Sequence, residues 1–117
     1  MKLSIDRGAN VLYMSIRYSE LVICLEDSGH VLTRIDPKSR EVVGFTILDY
    51  LFSVDYNKIT FPFVEDIGIV ETLRKILWDA YYPLEGDDEI EVEFDIHIPF
   101  TEEMRKALHL NKEKDIK

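Results

Sequence analysis

The sequence predicts an α+β domain in which an antiparallel sheet of four to six strands carries one long helix on one face. Three observations predict this class. The first fifty residues alternate short apolar runs with turns of two to five residues, which is typical of sequential hairpins. Residues 67–82 repeat apolar side chains at the spacing of an amphipathic helix. Residues 90–98 alternate apolar and polar side chains without a break, as a strand with one buried face does.

Five strands are expected in the first half of the chain, in a β-meander in which each strand pairs with the next. The expected strands are residues 2–6, 11–17, 20–26, 30–36 and 42–50. The run ELVICLE, residues 20–26, is apolar on both parities, which predicts a central strand covered on both faces. Its Cys24 has no second cysteine to pair with, so we expect an inert, buried thiol.

The long helix is expected over residues 67–82. Asp66 is a suitable N-cap, and Pro83 is expected to end the helix because proline disfavours the helical conformation of the residue before it. The apolar arc of this helix spans about 200°, whereas ~100° suffices for packing on a single sheet. We therefore expect part of the helix to form an interface with a second element or a second copy of the chain. The predicted interface residues are Val70, Leu77, Trp78 and Tyr81.

A strand and a short C-terminal helix complete the expected fold. The strand over residues 90–98 either joins the N-terminal sheet or pairs across a dimer. The helix follows Thr101, whose hydroxyl can cap it. The chain of 117 residues is expected to form a single domain over residues 1–117. A β-meander part, residues 1–52, is extended by residues 53–117, which hold the helix, the last strand and the short helix.

The polar parity of the last strand carries Glu91, Glu93, Asp95 and His97. Alternate residues lie about 7 Å apart along a strand, so these four side chains would form a line of roughly 20 Å. Metal ligands must instead converge on one point. A solvated face is therefore favoured, although an acidic face for a basic partner, a metal site and an acid–base site stay open as alternatives. No catalytic, cofactor-binding or metal-binding residue is predicted.

The composition limits the classes of function. The formal net charge is −9, from 23 acidic against 14 basic residues, and no basic stripe appears, which argues against nucleic-acid binding. No apolar run approaches the ~20 residues of a membrane span, and no signal peptide is recognised, so a soluble cytoplasmic protein is expected. The chain has no glutamine and three asparagines, which favours a thermophilic source.

Two segments of the first half resemble a known family. They are IDRGANVLYMSI, residues 5–16, and RIDPKSREVVGFTILD, residues 34–49. Together they resemble the domain of unknown function 2283 family over residues 1–52. The chain departs from the family pattern at Asn10, where the family has Asp, and at Thr46, where it favours Glu. The ending DYLFSV, residues 49–54, also differs.

The resemblance implies a small antiparallel β module without an established activity, and a role as an antitoxin or other protein-binding module. It carries over no catalytic residue. Within the matched segments, Gly44 is expected to let a neighbouring strand approach closely.

These observations favour a non-enzymatic protein-interaction module that needs no cofactor. The expected partner is a second copy of the chain, in a homodimer, or a small basic protein. The alternative is a small metal-dependent enzyme or ligand-binding protein that uses the acidic strand, residues 91–97, with the loop at residues 85–89. Mimicry of nucleic-acid charge is a third hypothesis, which requires one coherent acidic face.

Overall fold

The computed structural model describes residues 1–27, 29–50 and 54–115, with side chains as far as residue 109. The described residues contain six strands and two helices. In chain order these are β1 (Lys2–Asp6), β2 (Val11–Ser15), β3 (Ile23–Glu26), β4 (Val31–Asp36), β5 (Glu41–Leu48), α1 (Ile67–Gly86), β6 (Glu89–Glu91) and α2 (Glu102–Asp115). The six strands form one antiparallel sheet, which confirms the predicted α+β class.

The strand order differs from the expected meander. The sheet runs β3-β4-β5-β2-β1-β6, so β2 pairs with β5 rather than with β3. The prediction of a central strand at residues 20–26 is therefore wrong, because β3 lies at the edge of the sheet. The expectation of a buried thiol is wrong for the same reason, since Cys24 is exposed on this edge strand. The apolar run at residues 20–26 predicted burial on both faces of the strand, but in the structure only one face of β3 is covered.

Gly44 shows why β5 can lie beside β2. It is the register partner of Ser15, and a Cβ placed at residue 44 would clash with the Met14 carbonyl oxygen. On the other side of β5, the ladder with β4 shifts register between Arg34 and Ile35, which marks a bulge. The prediction that Gly44 permits a close approach is confirmed.

The core lies on one face of the sheet. One row of side chains that point into the core crosses all six strands. The adjacent row points to the opposite face of the sheet and consists of polar or small residues. The inward row is Ile90, Leu3, Met14, Phe45, Thr33 and Leu25, and the outward row is Glu91, Lys2, Ser15, Gly44, Arg34 and Cys24. The core cluster joins the inward side chains to residues of both helices and of the connection before α1. The strand residues 1–52 and the extension 53–117 thus contribute to one core.

Helix α1 begins as predicted and ends later. The Asp66 carboxylate accepts a hydrogen bond from the Ile69 amide at 3.2 Å, which caps the first turn. The prediction that Pro83 ends the helix is wrong, because α1 continues to Gly86. Pro83 lies in the last turn, where its ring removes one hydrogen bond, while its carbonyl accepts one from the Asp87 amide at 3.1 Å. Burial of Leu84 holds this last turn against the core.

Strand β6 resolves the two alternatives for residues 90–98. It joins the N-terminal sheet beside β1, but only Glu89–Glu91 form the strand. The longer predicted strand is therefore wrong. At the end of the pairing between β6 and β1, a hydrogen bond runs from the Val92 amide to the Met1 carbonyl, at 2.8 Å. Arg7 fixes this corner, because its guanidinium pairs with Asp88 and also donates to a carbonyl at the end of α1.

Alternating burial returns at Ile96, beyond the end of β6 and after an exposed Phe94. Ile96 and Ile98 are buried, while Asp95 and His97 are exposed. Helix α2 then contacts β3, at the opposite edge of the sheet from β6, so the intervening chain leads from one edge to the other. The expected capping by Thr101 is confirmed by its hydrogen bond from the Met104 amide at 3.2 Å. Within the described part of the chain, neither helix is long and apolar enough to cross a membrane.

Candidate functional site

The polar residues of the predicted strand over residues 90–98 lie on the surface. Glu91, Glu93, Asp95 and His97 are all exposed. Among the residues described by the structure, no group of three or more histidine, cysteine, aspartate or glutamate side chains is placed to hold a metal ion. These side chains lie on the surface, and the metal-dependent alternative stays a prediction.

Aromatic side chains instead converge on one surface of α1. Tyr50, Tyr56, Trp78, Tyr81 and Tyr82 line, together with Val54, a cleft of about 270 Å³. We call this feature the aromatic cleft. It brings together three parts of the chain: Tyr50 (two residues after β5), the connection before α1, and the second half of α1 itself.

The rings of the aromatic cleft stand nearly perpendicular to one another. The Tyr56 ring meets the Trp78 ring at 87°, with the ring centroids 5.5 Å apart. It meets the Tyr81 ring at the same angle and a centroid distance of 6.2 Å. The Tyr81 and Tyr82 rings are 5.3 Å apart at 85°. Such edge-to-face contacts are the favoured geometry of aromatic pairs and stabilise them by about 0.5–1.5 kcal/mol each.

Helix α1 supplies three of these rings at successive positions of one face. Trp78, Tyr81 and Tyr82 are separated by three and four residues, a spacing that places side chains side by side on a helix. The connection is fixed to the helix by a 2.8 Å hydrogen bond from the Arg74 Nε atom to the Ile59 carbonyl. Tyr56, three residues before Ile59, is thereby held against α1.

The floor of the cleft is uncharged. Tyr50 is 4% exposed, and its hydroxyl lies 3.1 Å from that of Tyr56, at hydrogen-bond distance. Burial is the main reason that the pKa of Tyr50 is raised far above its ordinary value, and the hydrogen bond with Tyr56 raises it further. Burial also raises the pKa of Tyr56. Both phenols are therefore protonated at any physiological pH.

The four predicted interface residues fall into two groups. Val70 and Leu77 are buried in the core of the chain itself, which removes them from any surface. Trp78 and Tyr81 are exposed and belong to the aromatic cleft, at 64% and 38%. An interface at these two residues stays a prediction. The wide apolar arc of α1 is thus used mostly within the chain, and only its aromatic end remains open.

Sequence reasoning missed Tyr50 and Val54. Tyr50 was expected at the end of the strand over residues 42–50, and Val54 lies between the predicted strands and the predicted helix, so neither was assigned to an interface. The only signal in the sequence is the density of aromatic residues between Tyr50 and Phe63. Of that group, Phe52 lies outside the described residues, and Phe61 packs on Phe45 in the core, with ring centroids 4.8 Å apart.

Comparison with protein-family models, with curated proteins and with solved structures finds no match for this chain. The resemblance of residues 1–52 to the domain of unknown function 2283 family accordingly stays a prediction.

Proposed function

We propose that this chain is a protein-interaction module that catalyses no reaction and binds its partner at the rim of the aromatic cleft. The observation that carries the proposal is the exposure of three neighbouring rings, 64% for Trp78, 38% for Tyr81 and 75% for Tyr82. Tryptophan and tyrosine are enriched among the residues that contribute most to binding at protein interfaces. Neighbouring exposed aromatic rings such as these, in the second half of α1, are typical of an interaction site.

A small basic protein is the favoured partner. The chain carries a net charge of −9, which attracts basic partners and opposes the approach of a second copy. The antitoxin role implied by the family resemblance is one function of this type, in which binding alone inactivates a small toxin protein. We expect the complex to form in the cytoplasm.

A homodimer is the second candidate, favoured by a specific feature of α1. Ile67 is 65% exposed and lies eleven residues before Trp78. Eleven residues correspond to about three turns of an α-helix, so both side chains lie on one face. A two-fold axis would repeat this face on both copies and place the apolar ends of one helix against those of the other.

Two measurements test the proposal. The first is affinity capture from the source lysate with the wild-type chain, Trp78→Ala and a control, Tyr18→Ala, which removes an aromatic ring that is 89% exposed and lies outside the cleft. We expect the captured proteins to be lost with Trp78→Ala and retained with Tyr18→Ala. Identical captured sets for the two variants would contradict the proposal.

The second measurement is the solution mass by light scattering at increasing concentration. A mass of 13.7 kDa at all concentrations supports the basic partner, whereas twice that mass, lost in Trp78→Ala, supports the homodimer. A dimer that survives Trp78→Ala would mean that self-association uses another surface.

A further inference from the structure

We propose that the aromatic cleft binds the quaternary ammonium group of a small molecule of the choline class. This inference goes beyond the proposed function, because it concerns a ligand rather than a protein partner, although both use the same rings. It rests on the described lining of the cleft, the exposure of its rings, and its volume.

The described lining disfavours other ligand classes. Among the residues that the structure describes, five aromatic residues and one valine line the cleft, all of them uncharged residue types. An anion would find no cationic side chain among these six. A primary ammonium would bring three N–H donors into a cleft whose described side chains offer only tyrosine hydroxyls as acceptors. A quaternary ammonium has no N–H group to satisfy, and its methyl groups match an apolar, aromatic wall.

The rings of the cleft are open to such a cation. Aromatic faces attract cations placed within ~6 Å of the ring centroid. Trp78, the residue type with the strongest attraction of this kind, is 64% exposed, and Tyr81 and Tyr82 are 38% and 75% exposed. More than one ring can therefore contribute at once.

The volume and the charge of the chain point to the occupant. A cleft of about 270 Å³ lies below the range of ~300–1,000 Å³ found for drug-sized ligands, so it fits one headgroup. Tyr50 closes the inner end, being 4% exposed. The net charge of −9 raises the local concentration of cations around the molecule.

The test uses choline and its neutral isostere 3,3-dimethylbutan-1-ol, in which carbon replaces the ammonium nitrogen. Trp78 is the single tryptophan of the chain, so its fluorescence reports occupancy of the cleft directly. We expect choline to bind more tightly than the isostere by roughly 2- to 30-fold, the range of cation–π attraction between an exposed and a desolvated site. Titrations are made at constant ionic strength, with calorimetry as a second readout.

A matched pair of variants assigns the effect to the rings. Tyr81→Leu keeps an apolar side chain but removes one aromatic face, and it should reduce the preference for choline. Tyr18→Leu makes the same change outside the cleft and should leave the preference intact. Circular dichroism of each variant checks that the fold is retained.

Three results would overturn the inference. Equal affinity for choline and the isostere would mean that the cleft is only an apolar surface. No response to choline in fluorescence and calorimetry would mean that it is no site for this class. If a peptide with trimethylated lysine bound more tightly than choline, the ligand of the cleft would be a modified protein and not a small molecule. None of these results bears on partner capture, so the proposed function is tested separately.

Discussion

Thr33 is buried in the core, and its replacement by valine tests how the connection before α1 is held. Thr33 is 0% exposed on the inward face of β4, and its hydroxyl donates a 2.6 Å hydrogen bond to the Pro62 carbonyl. Valine has nearly the same shape but no donor. Thr33→Val therefore leaves a buried carbonyl without this partner, which costs about 1–3 kcal/mol. The added methyl group regains up to about 0.8 kcal/mol.

We expect a net loss of about 1–2 kcal/mol in the free energy of unfolding for Thr33→Val. With a urea dependence of about 1–3 kcal/mol/M for a domain of this size, the midpoint should fall by roughly 0.3–2 M. Equilibrium urea denaturation followed by circular dichroism measures it. The dependence on urea should stay the same, because the surface exposed on unfolding is unchanged.

Thr46→Val is the matched control. Thr46 is 7% exposed on β5, but it lies on the outward face, and among the described residues it makes no hydrogen bond with its hydroxyl. The same substitution should change stability there by less than about 0.5 kcal/mol, because valine suits a strand at least as well as threonine does. If Thr33→Val proved as stable as Thr46→Val, the hydrogen bond to Pro62 would not hold the connection.

Three further predictions concern backbone fit, helix capping and ionisation. Gly44→Ala should lower the free energy of unfolding by about 3 kcal/mol, because the added Cβ meets a backbone carbonyl that cannot rotate away. Gly86→Ala has open space around the added Cβ and should be neutral or stabilising by up to about 1 kcal/mol. Thermal unfolding of the two variants compares them. Asp66→Ala should lose about 1 kcal/mol with its N-cap hydrogen bond, measured by urea denaturation. The raised pKa of Tyr50 contributes stability that is fully present below pH 10, the ordinary pKa of tyrosine. Above pH 10 this contribution is lost, because the phenol ionises in the unfolded chain but not in the fold. The stability of Tyr50→Phe should therefore fall less steeply than that of the wild type between pH 9 and 11, as measured by urea denaturation at each pH.

The elements with local signals were predictable from the sequence. The Asp66 cap, the periodicity of α1 and the hairpins of β1–β2 and β4–β5 are all determined by residues a few positions apart. The pairing of β2 with β5 is different, because it joins residues about thirty positions apart and depends on the absence of a side chain at Gly44. An apolar run such as residues 20–26 likewise cannot show by itself whether it lies at the centre or at the edge of a sheet.

The candidate site was predictable only in part. Val70, Leu77, Trp78 and Tyr81 were predicted at an interface for one reason, because the apolar arc of the helix is wider than packing on a single sheet requires. That width does not show which of the four residues the chain itself buries. In the structure, Val70 and Leu77 are buried in the chain's own core. Tyr50 could not be assigned, since its place in the cleft follows from the path of a segment without periodicity.

The aromatic cleft and the core are held by the same connection. Phe61 packs on Phe45, Pro62 accepts the hydrogen bond of Thr33, and the Ile59 carbonyl accepts that of Arg74. These three contacts fix the chain just after Tyr56, whose ring forms the wall shared by Trp78 and Tyr81. Loosening any of them frees the Tyr56 ring before it alters α1, because α1 has its own cap and its own buried face. Thr33→Val should therefore weaken ligand binding at the cleft more than Thr46→Val does, even at temperatures where both variants are fully folded.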